Sequence, residues 1–286
     1  MRSGFNIVIG AQAGSESKGK LSAYLLEKHR VHALSMASSP NAGHTLVMGG
    51  ERYVSYHIPV CAVVDKEIPV CLGPTSLIQP NKLAEELRDL GIPSGRVMVH
   101  PRAAIINDKL VRREASGHLS DIGSTLQGVG EARMAKLRRN GSVTLAGDPE
   151  ATKQLERSGA VVGNTVAEIN WQLDSGATVL HECTQGFDLD LEHGIHPGYC
   201  TSKMINPSIA LAEMGVSPKA LGNIYGCLRP LPIRVNNRTG WSGPYPGTRE
   251  LDWETVAKQC GYPGDPEDIT EYTTTTKLPR RVFTFS

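Results

Sequence analysis

The sequence has little that would place it in a membrane or against a polyanion. Over 286 residues there is no apolar run close to the roughly 20 residues that a membrane helix needs. The N-terminal stretch Met1 to Gly4 carries no secretory signal. The net charge is only +1, with 21% charged residues, which gives no reason to expect a nucleic-acid or membrane partner. We therefore expect a cytoplasmic protein that binds small molecules.

The cysteines give no framework of disulfides or metal ligands. Six are present, without a C-x-x-C pair or a zinc-like spacing, and free thiols are typical of a reducing compartment. The hydrophobic content of 40% is ample for a buried core, and we find neither an internal repeat nor a low-complexity linker. The sequence therefore predicts one domain over residues 1–286.

Apolar, β-branched runs alternate with helical patterns, which predicts an α/β fold with a mostly parallel central sheet flanked by helices. The predicted strands are Asn6 to Gly10, Ala33 to Ala37, Tyr53 to His57, Ile68 to Leu72, Val97 to His100, Thr178 to Glu182 and Leu221 to Cys227. The predicted helices are Lys18 to Arg30, Asn81 to Leu90, Gly130 to Arg139, Pro149 to Arg157, Thr165 to Asp174, Ser208 to Met214 and Asp252 to Gln259.

A glycine-rich stretch, Gly10 to Lys20, joins the first predicted strand to the first predicted helix. Such a turn points several backbone N–H groups and the positive end of the helix dipole at one spot, which favours an anion. Gly14 to Lys20 fits the G-x-x-x-x-G-K half of a phosphate-binding loop, but Leu21 stands where a magnesium-binding hydroxyl would be. The alternative is a glycine-rich turn with a solvated lysine pair.

A second small-residue turn, Pro40 to Thr45, follows the second predicted strand. Together the two segments resemble the adenylosuccinate synthetase family, whose members carry a "GDEGKGK" loop and an "NAGHT" turn. The resemblance implies a fold distantly related to phosphate-loop GTPases, and a ligase that uses Mg²⁺, a nucleoside triphosphate and L-aspartate. The nucleotide-binding residues that it implies here are Ser15, Glu16, Ser17, Lys18, Gly19, Asn41, Gly43, His44 and Thr45.

The main departure from the family pattern is Ser15. Family members have an aspartate there that acts as general base at N1 of the purine, and a serine is a poor substitute because its hydroxyl stays protonated near neutral pH. A serine is similar to the phage branch, the 2-amino-2'-deoxyadenylosuccinate synthases, which take dGMP instead of IMP. A short hydroxyl leaves room for the 2-amino group of guanine and can accept its hydrogen bond. The implied catalytic residues are Ser15, Lys18 and His44, with magnesium near Ser15 and the Gly43 carbonyl.

Further segments match the family in order. The loop Asp121 to Gly130 opens a helix and resembles the 5'-phosphate site, which implies Ser124 and Thr125 as donors. The resemblance also implies that Arg139 reaches the partner subunit's site in a homodimer, although a basic helix C-terminus is the simpler explanation. Three more nucleotide contacts are implied, namely Gln185, Thr201 and Arg234.

The last segment, Thr273 to Val282, resembles the loop that closes on aspartate, "TTGRxRR" in typical members. It implies Thr275, Thr276, Arg280 and Arg281 as aspartate-binding residues, since an arginine fork suits a carboxylate. Leu278 replaces the family's first arginine. Typical members continue beyond this segment with a GTP base site, whereas this sequence ends at Ser286, so GTP specificity does not follow. The resemblance to the phage branch implies ATP or dATP as phosphoryl donor. A fragment, or an enzyme completed by a second polypeptide, is the alternative.

The expected reaction joins L-aspartate to C6 of dGMP with ATP hydrolysis, giving 2-amino-2'-deoxyadenylosuccinate. The N1 proton would leave to solvent, to Glu16 or in the phosphoryl transfer itself. Two alternatives remain. One is an adenylosuccinate synthetase acting on IMP, and the other is a catalytically silent nucleotide-binding homologue.

Overall fold

The computed structural model describes residues 1–117, 119, 124–235, 245–273 and 277–286. The α-helices within these ranges are α1 Lys18–Lys28, α2 Pro80–Leu90, α3 Asp108–Ala115, α4 Val129–Arg138, α5 Pro149–Arg157, α6 Thr165–Asp174, α7 Pro207–Met214, α8 Trp253–Gln259 and α9 Pro266–Ile269. The strands are β1 Gly4–Gly10, β2 Ala33–Met36, β3 His44–Met48, β4 Glu51–Ser55, β5 Val70–Leu72, β6 Leu77–Ile78, β7 Val97–Val99, β8 Ala104–Ile105, β9 Val161–Val162, β10 Thr178–Gly186, β11 Leu221–Cys227, β12 Ile233–Arg234, β13 Glu250–Leu251 and β14 Arg281–Phe283.

The central sheet has seven strands in the order β11-β1-β10-β2-β5-β7-β9. Every neighbouring pair in it is parallel, so the carboxyl ends of the strands share one edge. A three-stranded antiparallel sheet, β12-β14-β13, lies in the C-terminal part of the chain. The predicted α/β fold with a mostly parallel sheet is confirmed.

Alternation along β1 explains how the sheet is buried on both faces. Val8 belongs to one hydrophobic cluster with residues of α1, α2 and α5, whereas Ile7 and Ile9 belong to a second with residues of α6 and α7. Successive strand side chains point to opposite faces, so an uninterrupted apolar run predicts a strand covered by helices on both sides. No helix in the described ranges is long and apolar enough to cross a membrane.

The predicted elements all have a counterpart, with ends shifted by a few residues. The largest shift is at the end of the strand predicted at Thr178 to Glu182, which the structure continues to Gly186. The strand predicted at Tyr53 to His57 is formed at Glu51–Ser55 as half of a hairpin with His44–Met48. The prediction missed the first strand of that hairpin, six strands of two or three residues (β6, β8, β9, β12, β13 and β14), the short helix Pro266–Ile269 and the helix Asp108–Ala115. That helix buries only Leu110 and Glu114, so it lacks an apolar stripe that a sequence pattern can detect.

Candidate active site

A cavity of about 490 Å³ lies at the carboxyl-terminal edge of the central sheet, between the loops that follow β1, β2 and β10. Its volume is within the range of small-molecule sites. Thirteen of the residues predicted from the sequence line it, namely Ser15, Ser17, Lys18, Gly19, Asn41, Gly43, His44, Thr45, Ser124, Thr125, Gln185, Thr201 and Arg280. The fold therefore brings together segments that are far apart in the sequence.

The phosphate loop has an unusual backbone. Gly14, Ser15 and Ser17 have φ angles of 90°, 59° and 63°, and such left-handed conformations are rarely adopted by residues with a side chain. They turn the chain sharply before α1 begins at Lys18. The consequence is a concave backbone ahead of a helix N-terminus, as the anion-site interpretation requires.

Glu16 supports this loop from inside. Its Oε1 accepts hydrogen bonds from the backbone N–H groups of Gln12 at 3.1 Å and Gly14 at 2.7 Å, and its Oε2 lies 2.9 Å from Nζ of Lys18. A Cβ on Gly10 or Gly186 would collide with the Glu16 carboxylate. Glu16 is buried and absent from the cavity lining, so both of its oxygens serve the loop.

His44 is held by a carboxylate that sequence reasoning gave no role. Its Nδ1 lies 2.6 Å from Oε1 of Glu182 in the middle of the interior strand β10, and both side chains are almost fully buried. The carboxylate accepts the Nδ1–H, which fixes the tautomer. The Nε2 atom of His44 has no partner among the described residues, so it is free to serve a ligand in the cavity.

The loop before α4 contributes hydroxyl groups to the cavity. Ser124 and Thr125 line it, and the Thr125 hydroxyl donates to the Asn41 side chain at 3.0 Å. Residues 121–123 of the same predicted segment lie outside the described residues. This contact joins the two predicted nucleotide-binding segments directly.

The N-terminus of α4 is already occupied by an internal anion. Glu114 accepts from the backbone N–H groups of Gly128 at 3.0 Å and Gly130 at 2.8 Å. Because a carboxylate at this position uses the helix dipole and its first N–H groups, the dipole is not open to a substrate phosphate here. In this structure, the anion-binding potential of the loop rests on Ser124 and Thr125.

Arg139 lies at the other end of α4, as an exposed residue with φ of 54°. The ten-residue helix, about 15 Å long, separates it from the loop that carries Ser124 and Thr125. Arg139 is absent from the lining of the cavity of its own chain.

Gln185 and Thr201 reach the cavity through the segment that follows β10. Gln185 has φ of 67° at the end of that strand. Asp190 accepts from the N–H groups of Glu192 at 2.8 Å, His193 at 2.9 Å and Ile205, and these hydrogen bonds lower the pKa of the Asp190 carboxyl against the opposing effect of burial. Asp190 thus stabilises the loop that contains Thr201.

The predicted aspartate-binding residues separate into three groups. Arg280 is mostly buried and lines the cavity, and burial lowers the pKa of its guanidinium. Arg281 points to the adjoining sheet, where its Nε and Nη2 lie 2.8 and 2.6 Å from the carboxylate oxygens of Glu250. Thr275 and Thr276 lie outside the described residues.

Arg234 is buried beside the cavity without being in its lining. Its guanidinium lies 5.7 Å from the centre of the Tyr245 ring, and burial raises the pKa of the nearby Asp188 carboxyl to about 6, opposed by Arg234. Val235, the next residue, does line the cavity. Arg234 therefore packs behind the lining of the cavity.

The oxygen donors present fit a magnesium ion held mainly by phosphates. Ser15 and Gly43 both line the cavity. The nearby Glu16 carboxylate is not available to a magnesium ion, because its oxygens bind the loop N–H groups and Lys18. No cluster of three or more His, Cys, Asp or Glu residues of metal-binding type occurs in the described part of the chain. Mg²⁺ commonly binds through one or two protein ligands, water and substrate phosphates.

The family model for adenylosuccinate synthetase matches residues 7–157 and 149–285. The chain belongs to the adenylosuccinate synthetase family. The family predicted from the two glycine-containing motifs is thereby confirmed.

Within the adenylosuccinate synthetase family, the chain is similar to phage proteins. It is 34% identical over 299 residues to the N6-succino-2-amino-2'-deoxyadenylate synthase of Salmonella phage PMBT28, covering 98% of this chain and 78% of the relative. It is 35% identical to the synthase of the same name from cyanophage S-2L, covering 98% and 76%. The adenylosuccinate synthetase of Methanocaldococcus jannaschii is 32% identical, covering 96% and 74%.

Solved structures of the family agree. The cyanophage S-2L succinoaminodeoxyadenylate synthetase, bound to dGMP and to dATP as an energy donor, has a TM-score of 0.86 and 32% identity, covering 100% of this chain and 79% of that one. The fully ligated adenylosuccinate synthetase of Plasmodium falciparum shares the fold, with a TM-score of 0.78 and 22% identity. The predicted phage-type resemblance is therefore also confirmed.

Sequence reasoning missed two carboxylates of this family member, namely Glu114 and Glu182. Glu182 stands at the end of the predicted strand Thr178 to Glu182, where a charged residue is a usable signal of a functional site. Glu114 lies on a helix that was not predicted and binds N–H groups 14 and 16 residues further along. Such long-range pairings have no local pattern.

Proposed function

We propose that this chain is an ATP-dependent ligase that joins L-aspartate to C6 of dGMP. The products would be 2-amino-2'-deoxyadenylosuccinate, ADP and phosphate. The observation that carries the proposal is Ser15, which lines the cavity next to His44 and Lys18 in a loop where the wider family has a carboxylate. The phage relatives support it, since they are named as synthases of this product.

The chemistry has two steps. The O6 atom of dGMP attacks the γ-phosphorus of the triphosphate as the N1 proton leaves, which releases ADP and gives a 6-phosphoryl intermediate. The aspartate amine then attacks C6 and displaces phosphate, losing a proton. Activation is needed because an unmodified purine oxygen is a poor leaving group.

His44 and Lys18 would act on the oxygens that gain charge. His44 donates through Nε2 to the bridging oxygen, and Glu182 stabilises the ring while it is protonated, as a carboxylate does for a catalytic histidine. Lys18 and the N–H groups of the loop stabilise the transferring phosphoryl group. Glu16 does not take the N1 proton in this scheme, because its oxygens accept from Gln12, Gly14 and Lys18.

A magnesium ion would neutralise phosphate charge, held by Ser15 and the Gly43 carbonyl. ATP or dATP would be the donor, and the relative from cyanophage S-2L has dATP bound as its energy donor. Arg280 would bind a carboxylate of aspartate, with Thr275, Thr276 and Arg281 as further predicted contacts. Ser124, Thr125, Gln185, Thr201 and Arg234 would bind dGMP.

We also propose a homodimer, since Arg139 lies at the far end of α4 and outside the cavity lining of its own chain and would serve a neighbouring site. The reaction would take place in the cytoplasm, where nucleotides and aspartate are available, and residues 1–286 would form one domain. Gel filtration with light scattering tests the dimer, and complementation of an inactive His44→Ala chain by an inactive Arg139→Ala chain tests the shared site.

The direct test is product analysis. Incubation with dGMP, ATP, Mg²⁺ and ¹⁵N-labelled aspartate should give a nucleotide that carries one succinyl group and one ¹⁵N atom, detected by mass spectrometry. Its absence with dGMP and its appearance with IMP would favour an adenylosuccinate synthetase. Nucleotide binding without any product would favour a silent homologue.

A further inference from the structure

Arg229 lies between the phosphate loop and the segment that carries Arg280. It follows β11, and its own backbone pairs with the Gln12 side chain: its N–H donates to Oε1 at 2.8 Å and its carbonyl accepts from Nε2 at 3.1 Å. Gln12 is buried at the start of the phosphate loop. Both the N–H and the carbonyl of Arg229 are therefore held at a fixed position relative to that loop.

The guanidinium of Arg229 makes the contact that matters for the loop. Its Nη1 donates to the backbone carbonyl of Ser15 at 3.0 Å. Ser15 has φ of 59°, a left-handed conformation that is energetically costly for a residue with a side chain. An arginine aimed at its carbonyl compensates for that cost, since hydrogen bonds from charged donors are stronger than neutral ones.

The same guanidinium binds Glu271. Nη1 lies 3.1 Å from Oε2, and Nη2 contacts Oε1. This is a bidentate pair between residues 42 positions apart, and Arg is the only side chain whose planar fork can hold both oxygens and a third acceptor at once.

Glu271 lies at the base of the predicted aspartate loop, in the neck formed by residues 271–272 and 279–280. Its backbone carbonyl accepts from the N–H of Arg280 at 2.7 Å, and the next pair inward, Tyr272 and Pro279, forms a β-bridge. Arg280 lines the cavity. A displacement of Arg280 on ligand binding would therefore be transmitted to Glu271 and its partner.

We propose that Arg229 is a positioning residue that couples the aspartate loop to the phosphate loop through Glu271 and the Ser15 carbonyl. Occupation of Arg280 by a substrate carboxylate stabilises the neck, and Arg229 thereby holds Ser15 in its left-handed conformation, ready for phosphoryl transfer. Coupling of this kind is reciprocal, so a nucleotide on the phosphate loop also strengthens aspartate binding. The inference extends the proposed function and rests on it for the identity of the two ligands.

The test uses Arg229→Lys, which keeps the charge but loses the fork, and Glu271→Gln. Arg96→Lys is the matched control, because Arg96 forms a surface pair with Glu67 away from the cavity. Thermal unfolding first establishes that each variant is folded. Hydrogen exchange of the peptide covering residues 11–20 is then measured with dGMP, with and without aspartate.

In the wild type and in Arg96→Lys, aspartate should slow exchange of residues 11–20, and in Arg229→Lys and Glu271→Gln this effect should disappear. In kinetics, Arg229→Lys should raise the KM for aspartate and lower kcat, each by about 10-fold, within the range of typical coupling. A purely structural role would change stability but leave the aspartate effect on exchange intact, which would overturn the proposal.

Failure of the proposed function gives a different result. If the wild type releases no phosphate with dGMP, the ligase assignment fails, whereas the exchange experiment still decides the coupling. If aspartate leaves exchange unchanged in the wild type itself, the coupling is wrong even where turnover with dGMP is normal.

Discussion

Nδ1 of His44 lies 2.6 Å from Oε1 of Glu182, a residue 138 positions away in the sequence. The pair joins the hairpin β3–β4 to strand β10 of the seven-stranded sheet, and it leaves Nε2 of His44 as the atom available to a ligand. A histidine fixed in this way can donate at one defined atom. The catalytic role of His44 therefore depends on Glu182.

Glu182→Gln should lower kcat with little change in the affinity for dGMP, because an amide cannot stabilise the protonated ring. His44→Ala should lower kcat further, by about 10²–10⁴-fold, the usual contribution of a general acid. Steady-state kinetics and calorimetric binding of dGMP measure both. Glu86→Gln is the matched control, since Glu86 pairs with the buried His57 outside the cavity. Equal losses in both glutamine variants would mean that only stability is affected.

Arg280→Lys should raise the KM for aspartate by about 10-fold, which corresponds to roughly 1.4 kcal/mol, because lysine cannot form two parallel hydrogen bonds to a carboxylate. Arg281→Lys should have a much smaller effect, since Glu250 already binds the Arg281 fork. KM values for aspartate at saturating dGMP and ATP make the comparison. A larger effect at Arg281 than at Arg280 would contradict the assignment.

His181 should make stability depend on pH. Burial lowers the pKa of this ring to about 3, so between pH 6.5 and 3 the unfolded chain binds a proton that the folded chain does not. The free energy of unfolding therefore decreases as the pH is lowered through this window, by up to about 1.4 kcal/mol per pH unit for one group. Urea unfolding of the wild type and of His181→Gln at pH 6.5 and 5 tests this: the free energy of unfolding of the wild type should fall more than that of the variant. An equal fall in both proteins would contradict the prediction.

Ser17→Gly should stabilise the fold by about 0.5 kcal/mol. Ser17 has φ of 63°, and glycine removes left-handed strain of roughly 1–2 kcal/mol while adding entropy to the unfolded chain worth about 0.5–1 kcal/mol. Ser158→Gly should be destabilising, since Ser158 ends α5 with φ of −78°. Urea unfolding measures both, and the same sign for the two would count against the strain argument.

Much of the fold could be predicted from local pattern. The strand Gly4–Gly10 and the helix after it were predicted to within two residues, because an apolar run, glycines and helical spacing follow each other directly. The helix Asp108–Ala115 could not be, because it buries little and is mostly polar. The site was predictable where a motif carries it, as at Gly14 to Lys20 and Asn41 to Thr45.

The remainder depends on contacts between distant segments. Glu16 carried a nucleotide-binding prediction, but its orientation into the loop follows from Gly10 and Gly186, which leave space for its carboxylate. Arg229 and Glu271 have no motif of their own, and only the folded neck brings them together. Whether the lining residues bind the ligands predicted for them stays a prediction.

Substrate choice tests the central claim most directly. Phosphate release would be measured with aspartate, Mg²⁺ and ATP, with either dGMP or IMP as the third substrate, for the wild type and for Ser15→Asp. We predict release with dGMP and little with IMP in the wild type, and a loss of dGMP activity when a carboxylate fills the space beside the 2-amino group. Release by the wild type with IMP and none with dGMP would contradict the account.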